Sequence, residues 1–194
     1  MQEHINRESW LTAAVSLIKP LFIQKGYTVP PCLVSCGFTS TGSKNGHIGQ
    51  CWARKSSELD VNQIFVSPTL IDPVEVLDTL VHELVHAVDD CQNKHGKEFK
   101  KICTQMGLKG PMRSASAGPE LREKLTEIGF KLGPYPHGKL KVVMIKHTRR
   151  PRPRARCSEC KYEVPMYKKF LEYGPPMCPQ HKVLMKEIGN WEDY

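Results

Sequence analysis

The 194-residue sequence lacks any apolar run of about 18 residues, the length that a membrane-spanning helix needs. It also lacks an N-terminal apolar segment of the kind found in secretory signal peptides, and no segment repeats internally. These absences argue against a membrane protein and a repeat protein, and we expect an intracellular location. The length suits one domain of ordinary size, or one domain with a small appendage.

The sequence contains eight cysteines, which is many for an intracellular chain. Without a signal peptide, thiols are expected to stay reduced, so the cysteines point to metal ligands and buried thiols instead of disulfides. We predict buried structural thiols at the five cysteines that lie in strand-like or apolar segments: Cys32, Cys36, Cys51, Cys91 and Cys103.

Positive charge is concentrated in the last third of the chain. The net charge is +8, but residues 1–130 carry 14 Lys/Arg against 14 Asp/Glu, whereas residues 131–194 carry 14 against 6. Prolines keep the centre of this basic region extended, and closely spaced guanidiniums suit a phosphate backbone. The candidate nucleic-acid-binding residues are Arg149, Arg150, Arg152, Arg154 and Arg156. The alternative is a solvated basic linker without a partner.

The segment from residue 73 to residue 89 has the pattern of a capped amphipathic helix. Asp72 is placed to cap it, Pro73 occupies the first turn, and Glu75 completes a capping box. Apolar residues then recur at helical spacing and supply a face for the core, namely Val76, Leu77, Leu80, Val81, Leu84, Val85 and Val88.

This predicted helix contains the sequence His82-Glu83-Leu84-Val85-His86. Histidines four residues apart leave a helix on the same side, about 5–6 Å from each other, so both can bind one metal ion. Glu83 lies about 100° further round the helix, where it can reach a water on the open side of the metal. A Lewis acid, a polarised water and a carboxylate base are the parts of a metal-dependent peptidase.

A catalytic zinc site needs a third protein ligand. Asp89 is one candidate, because it lies three residues after His86 on the same helical side. We favour His95, since Asn93 and Gly96 indicate a turn that brings the chain back over the metal. Phe99 would then anchor the following helix in the core.

Four further residues have the spacing of a structural zinc site. Cys157-x2-Cys160 is followed, after 17 residues, by Cys178-x2-His181. This is the spacing of a zinc ribbon, in which two tight turns each provide two ligands. Because about 40 residues are too few for a self-sufficient core, zinc binding must supply much of the folding free energy.

The remaining pattern predicts an α+β domain with a helix, a small antiparallel sheet, the zinc-bearing helix and further helices. The candidate elements are a helix from Asn6 or Ser9 to about Gln24, strands Cys32–Phe38, His47–Ala53 and Asn62–Ser67, the capped helix, helices Lys97–Met106 and Pro119–Ile128, and a strand Leu140–Lys146. We divide the chain into a domain at 1–146, a basic linker at 147–156 and a zinc ribbon at 157–194.

The pattern His82-Glu83-x-x-His86-Ala87, followed by His95-Gly96-x-x-Phe99, resembles the SprT-like (Spartan-type) metallopeptidase family, as do residues 49–52 and 64–71. The resemblance covers about residues 7–146. It implies a zincin-like fold in which His82, His86 and His95 bind zinc. A C-terminal zinc ribbon also occurs in members of this family.

The same resemblance implies a function. It predicts a zinc-dependent endopeptidase with Glu83 as general base on a zinc-bound water, acting on proteins bound or crosslinked to DNA. DNA would then be a partner, and the chain would hold two Zn²⁺ ions, one catalytic and one structural. The alternative hypothesis is a non-proteolytic, zinc-containing regulatory protein that binds nucleic acid and is related to transcription.

Overall fold

A computed structural model describes residues 4–42, 47–142 and 152–191. Contacts between Cα atoms divide the chain into two units, Met1–Val143 and Met144–Tyr194. In the described residues, no helix is both long enough and apolar enough to cross a membrane.

The first unit begins with helix α1 (Arg7–Gln24), which the Asn6 side chain caps by accepting from the Ser9 amide at 2.8 Å. Its inward face is fully buried at Trp10, Leu11, Ala14, Ile18 and Phe22. This face and Gln24 as the last helical residue match the prediction.

Three strands follow, at β1 (Cys32–Cys36), β2 (Gly49–Trp52) and β3 (Asn62–Val66). The sheet is mixed and not antiparallel as predicted. Strand β3 lies in the middle, parallel to β1 and antiparallel to β2. The turn-rich segments between the strands led to the prediction of successive hairpins. Only β3 buries alternate residues along its whole length, and this burial makes it the central strand.

Helix α2 (Pro73–Val88) packs against the sheet and forms the centre of the core. Asp72 accepts from the Glu75 amide at 2.9 Å, so the predicted cap is present. The predicted apolar face is completely buried at Val76, Leu77, Leu80, Val81, Leu84 and Val85. This burial fixes which side of the helix remains for the polar residues.

Two more helices complete the first unit. Helix α3 (Lys97–Met106) has the predicted bounds, and α4 (Pro119–Leu132) continues four residues beyond the predicted end, because Ile128 and Leu132 are both buried in the core. Between them, β4 (Leu108–Lys109) and β5 (Ser116–Ala117) form a two-stranded antiparallel sheet. The predicted strand Leu140–Lys146 is not formed at residues 140–142, and its remaining residues lie outside the described ones.

The second unit contains a three-stranded antiparallel sheet with β6 in the centre. Its strands are β6 (Arg154–Arg156), β7 (Glu163–Pro165) and β8 (Lys186–Ile188). The end of the predicted linker is therefore a strand, since Ala155 between two arginines is fully buried. Only four hydrophobic residues of the described part of this unit are buried, and two of them are cysteines: Ala155, Cys157, Cys178 and Met185.

Candidate metal centres

Helix α2 carries three polar side chains on the side that faces away from its apolar core face. His82 and His86 are half-buried, whereas Glu83 is only 6% exposed. The imidazole ring centroids lie 5.3 Å apart, as the spacing of four residues predicts.

The loop after α2 turns back over these histidines. Asp90, Cys91 and Lys94 adopt positive φ angles of 51°, 59° and 47°, a conformation uncommon for residues other than glycine. The Asp90 carboxylate accepts from the Arg54 amide at 2.8 Å and from the fully buried Asn62 side chain at 2.9 Å. These hydrogen bonds tie the loop to β3 and bring His95 to the metal-facing side of α2.

Three imidazoles converge as a result. One ring nitrogen each of His82, His86 and His95 lies within 4.8 Å of the others, and the Nε2 atoms of His86 and His95 are 3.3 Å apart. For zinc–nitrogen bonds of 2.0–2.1 Å, a tetrahedral site has an edge of about 3.3 Å. The donor set therefore fits a zinc ion. Asp89 is not among the converging donors, and its Oδ2 accepts from the Asn93 amide at 3.2 Å.

The ring of Phe99 packs against all three imidazole rings. This side chain is fully buried, as predicted, and it stacks on His86 with ring centroids 4.1 Å apart. Its centroid lies 5.2 Å from that of His82 and 5.0 Å from that of His95. The first turn of α3 therefore restricts the orientation of every candidate ligand.

The electrostatics of the cluster favour metal binding. Burial, together with the neighbouring imidazoles, lowers the pKa of His82 to about 4 and that of His86 to about 3. Burial also lowers the pKa of His95. All three rings are therefore neutral at pH 7, which is the form that binds zinc. The Ala115 carbonyl accepts a ring N–H of His82, which opposes this lowering of the His82 pKa.

Glu83 leaves α2 towards strand β2. The Cys51 amide donates a hydrogen bond to its carboxylate, but burial dominates and raises the pKa of Glu83 to about 8. The side chain lines a cavity of about 410 Å³ together with His82, His86 and His95. A buried carboxyl group with a raised pKa and three neutral imidazoles therefore line one cleft. This is the arrangement expected of a metal-assisted hydrolase.

Close approach of β2 to Glu83 requires a glycine at position 49. A Cβ atom there would lie 2.5 Å from Glu83 Oε1 and 2.7 Å from Thr79 Cγ2. Neither distance is possible without movement, so the absence of a side chain at this position keeps the carboxylate where it is. The resemblance included Gly49, but the residues alone did not indicate its role.

We expect Gly49→Ala to lower the free energy of unfolding by about 1–3 kcal/mol, the usual range for overpacking a tight site. The cause is the displacement of the Glu83 and Thr79 side chains. Gly129→Ala is the matched control, because its Cβ would meet Pro73 and Leu77 at ordinary distances of 3.5 and 3.7 Å. Urea unfolding followed by circular dichroism measures both. Equal stability of the two variants would contradict the prediction.

The second cluster consists of Cys157, Cys160, Cys178 and His181, whose donor atoms lie within 4.8 Å of one another. Cys160 Sγ and Cys178 Sγ are 3.7 Å apart, and Cys157 Sγ and His181 Nδ1 are 3.8 Å apart. Bonds of 2.3 Å from zinc to sulfur give a tetrahedral edge of about 3.8 Å. These four residues therefore also fit a zinc ion.

Two equivalent turns present these ligands. Cys157 N–H donates to the Tyr162 carbonyl, and Cys178 N–H donates to the Val183 carbonyl, at 2.9 and 2.8 Å. Within each turn, an amide donates to the first cysteine sulfur, from Cys160 in one case and from His181 in the other. These hydrogen bonds lower the pKa of the Cys157 and Cys178 thiols. Metal binding needs the thiolate form, which these hydrogen bonds favour.

Some of the candidate nucleic-acid-binding arginines form ion pairs within the second unit. Arg149 and Arg150 lie outside the described residues, and Arg152, Arg154 and Arg156 are exposed. Two of these three form ion pairs at 3.3 Å with Glu163 on the neighbouring strand, Arg154 with Oε2 and Arg156 with Oε1. Part of the positive charge is therefore balanced within the second unit.

Comparison with known proteins gives one family. The model described as SprT-like family matches residues 34–118, whereas neither the curated proteins nor the solved structures give a match. The matched segment holds the three converging histidines and Glu83 but not the second cluster. The predicted resemblance is confirmed over residues 34–118, which match the SprT-like family model.

Proposed function

We propose that the chain is a zinc-dependent endopeptidase with its active site at His82, Glu83, His86 and His95. The observation that carries this proposal is the convergence of three neutral imidazoles beside a buried carboxylate in one cleft. The match to the SprT-like family supports it, because that family is associated with a metallopeptidase-like fold.

The residues divide the chemistry between them. His82, His86 and His95 would hold a zinc ion, which would supply a Lewis acid for the scissile carbonyl and for a water. Glu83 takes a proton from the attacking water and passes it to the leaving amine. The carbonyl of Ala115 and the ring of Phe99 keep the histidines oriented while this happens.

We further propose that the substrates are proteins bound or crosslinked to DNA. The supporting observations are the excess of positive charge after residue 131 and the exposed side chains of Arg152, Arg154 and Arg156. The second cluster would hold a structural zinc that keeps β6, which carries two of these arginines, in place.

The experiment is cleavage of a DNA-binding protein with and without single-stranded DNA, using the zinc-loaded chain. We expect cleavage to depend on zinc and to increase when DNA is present. Raising the salt concentration should reduce the DNA-dependent part, because binding to phosphates releases counterions. Cleavage that DNA leaves unchanged would refute the substrate class, and no cleavage under any condition would refute the peptidase.

The second candidate is a regulatory nucleic-acid-binding protein that uses the three-histidine site only as a scaffold. The near-complete burial of Glu83 against β2 favours it, because a carboxyl group that is only 6% exposed has little access to an attacking water. In that case neutralising Arg152, Arg154 and Arg156 abolishes function, and changing Glu83 has no effect on it.

A further inference from the structure

The cleft beside the three histidines contains two positive side chains that the proposed chemistry does not use. Lys94 and Arg113 both line the cavity of about 410 Å³, and both are exposed. Glu83 is the only acidic residue among its described lining residues, and it is turned towards β2. In the described part of the chain, neither Lys94 nor Arg113 forms an ion pair.

Each of these two residues lies close in sequence to a histidine of the cluster or to a residue that contacts one. Lys94 directly precedes His95. Arg113 lies in the short 3-10 helix Met112–Ser114, immediately before Ala115, whose carbonyl accepts the N–H of His82. Arg113 and His95 line the same cavity, and after burial the charge of Arg113 is the second cause that lowers the pKa of His95. The positive charges are therefore held at the cleft and not scattered over the surface.

The backbone conformation at position 94 does not favour a lysine there. Lys94 has a φ of 47°, a left-handed conformation that glycine or asparagine adopts at lower cost. The side chain thus occupies a position where conformation alone would favour another residue.

We propose that Lys94 and Arg113 form a subsite that binds a carboxylate of the substrate peptide beside the bond to be cleaved. The carboxylate comes either from an aspartate or glutamate side chain or from the C-terminus of the peptide. A guanidinium can bind it in a bidentate manner, and the ammonium adds a second positive charge. This inference rests on the proposed peptidase function and names its substrate preference.

The test uses binding, measured separately from cleavage. Four fluorescent peptides carry either glutamate or glutamine at one internal position and either a free or an amidated C-terminus. Their affinity for zinc-loaded Glu83→Gln protein is measured by anisotropy. We expect the peptides with the matching carboxylate to bind about tenfold more tightly, as for two partly exposed charge pairs. The internal and terminal pairs of peptides identify which carboxylate is bound.

Two substitutions test whether Lys94 and Arg113 cause the preference for a carboxylate. Adding Arg113→Gln and Lys94→Asn should reduce the preference to about one, and asparagine tolerates the left-handed backbone at position 94. Lys100→Gln is the matched control, because this exposed lysine of α3 does not line the cavity. The preference should weaken as salt is added, since the cleft is open to solvent.

Each other outcome has a defined meaning. Equal affinity for all four peptides, or no measurable binding of any, overturns the subsite. If single-stranded DNA competes with the peptides and its own binding weakens in the Arg113→Gln variant, the occupant is a phosphate and the proposal is wrong. If the preference holds but wild-type protein cleaves no peptide, the peptidase proposal fails and the carboxylate subsite stands.

Discussion

Glu83→Gln should reduce the kcat/KM for peptide cleavage by about 10²–10⁴-fold, the usual contribution of a general base. Glutamine has nearly the same shape and can still accept from the Cys51 amide, but it cannot take a proton from water. The variant should therefore keep the fold and the zinc ion. Initial rates with the zinc-loaded protein measure the loss, and metal analysis of the same sample checks the zinc content.

The pH dependence of the wild type gives a second measure of the same residue. Burial raises the pKa of Glu83 to about 8, and only the carboxylate form acts as a base, so kcat/KM should rise with pH through this pKa. A cation held by the three histidines stabilises the carboxylate and moves the rise below pH 8. Equal rates for the wild type and Glu83→Gln would contradict the role of Glu83 as general base. They would favour the regulatory protein that uses the histidine site only as a scaffold.

Zinc removal should unfold the described second unit while the core of the first unit persists. Four hydrophobic residues are buried in the described part of the second unit, and two of them are cysteines of the second cluster, so little apolar burial remains without metal. Structural zinc sites contribute about 10 kcal/mol of binding free energy, which here is folding free energy. The core of the first unit extends over α1–α4 and the mixed sheet and does not depend on the second cluster.

Tryptophan indole signals in NMR spectra report on the two units separately. Trp191 donates from Nε1 to the Arg154 carbonyl at 3.2 Å, and the fully buried Trp10 donates to the Gly133 carbonyl at 3.1 Å. With a chelator, we expect the Trp191 signal to move to its unfolded position and the Trp10 signal to stay. A Trp191 signal that remains unchanged in zinc-free protein is the contrary result.

Two pairs of substitutions separate the two metals. Cys157→Ser with Cys178→Ser should reduce the zinc content from two ions per chain to one and displace only the Trp191 signal. His82→Ala with His86→Ala should also leave one zinc ion, with the Trp191 signal intact. Cys32→Ser is the control for loss of a thiol, because Cys32 belongs to neither cluster.

Local patterns predicted the elements that bear the first cluster. The cap at Asp72 and the apolar spacing of α2 depend only on neighbouring residues, and the structure reproduces both. The four ligands of the second cluster follow from spacing for the same reason, because each tight turn is made by residues adjacent in sequence. The order of the strands could not be predicted in this way, since pairing of β3 with both β1 and β2 depends on burial of distant segments.

Sequence alone therefore established the helix with His82, Glu83 and His86, the second cluster and the resemblance to the SprT-like family. The tertiary structure decided what surrounds them. It placed His95, and not Asp89, beside His82 and His86, because Asn62 on β3 and Asp90 after α2 hold the loop in its left-handed course. It also brought Gly49, Phe99 and Ala115 to the site. The contacts of Gly49 with Glu83 and of Ala115 with His82 join residues far apart in the chain, so no local pattern encodes them.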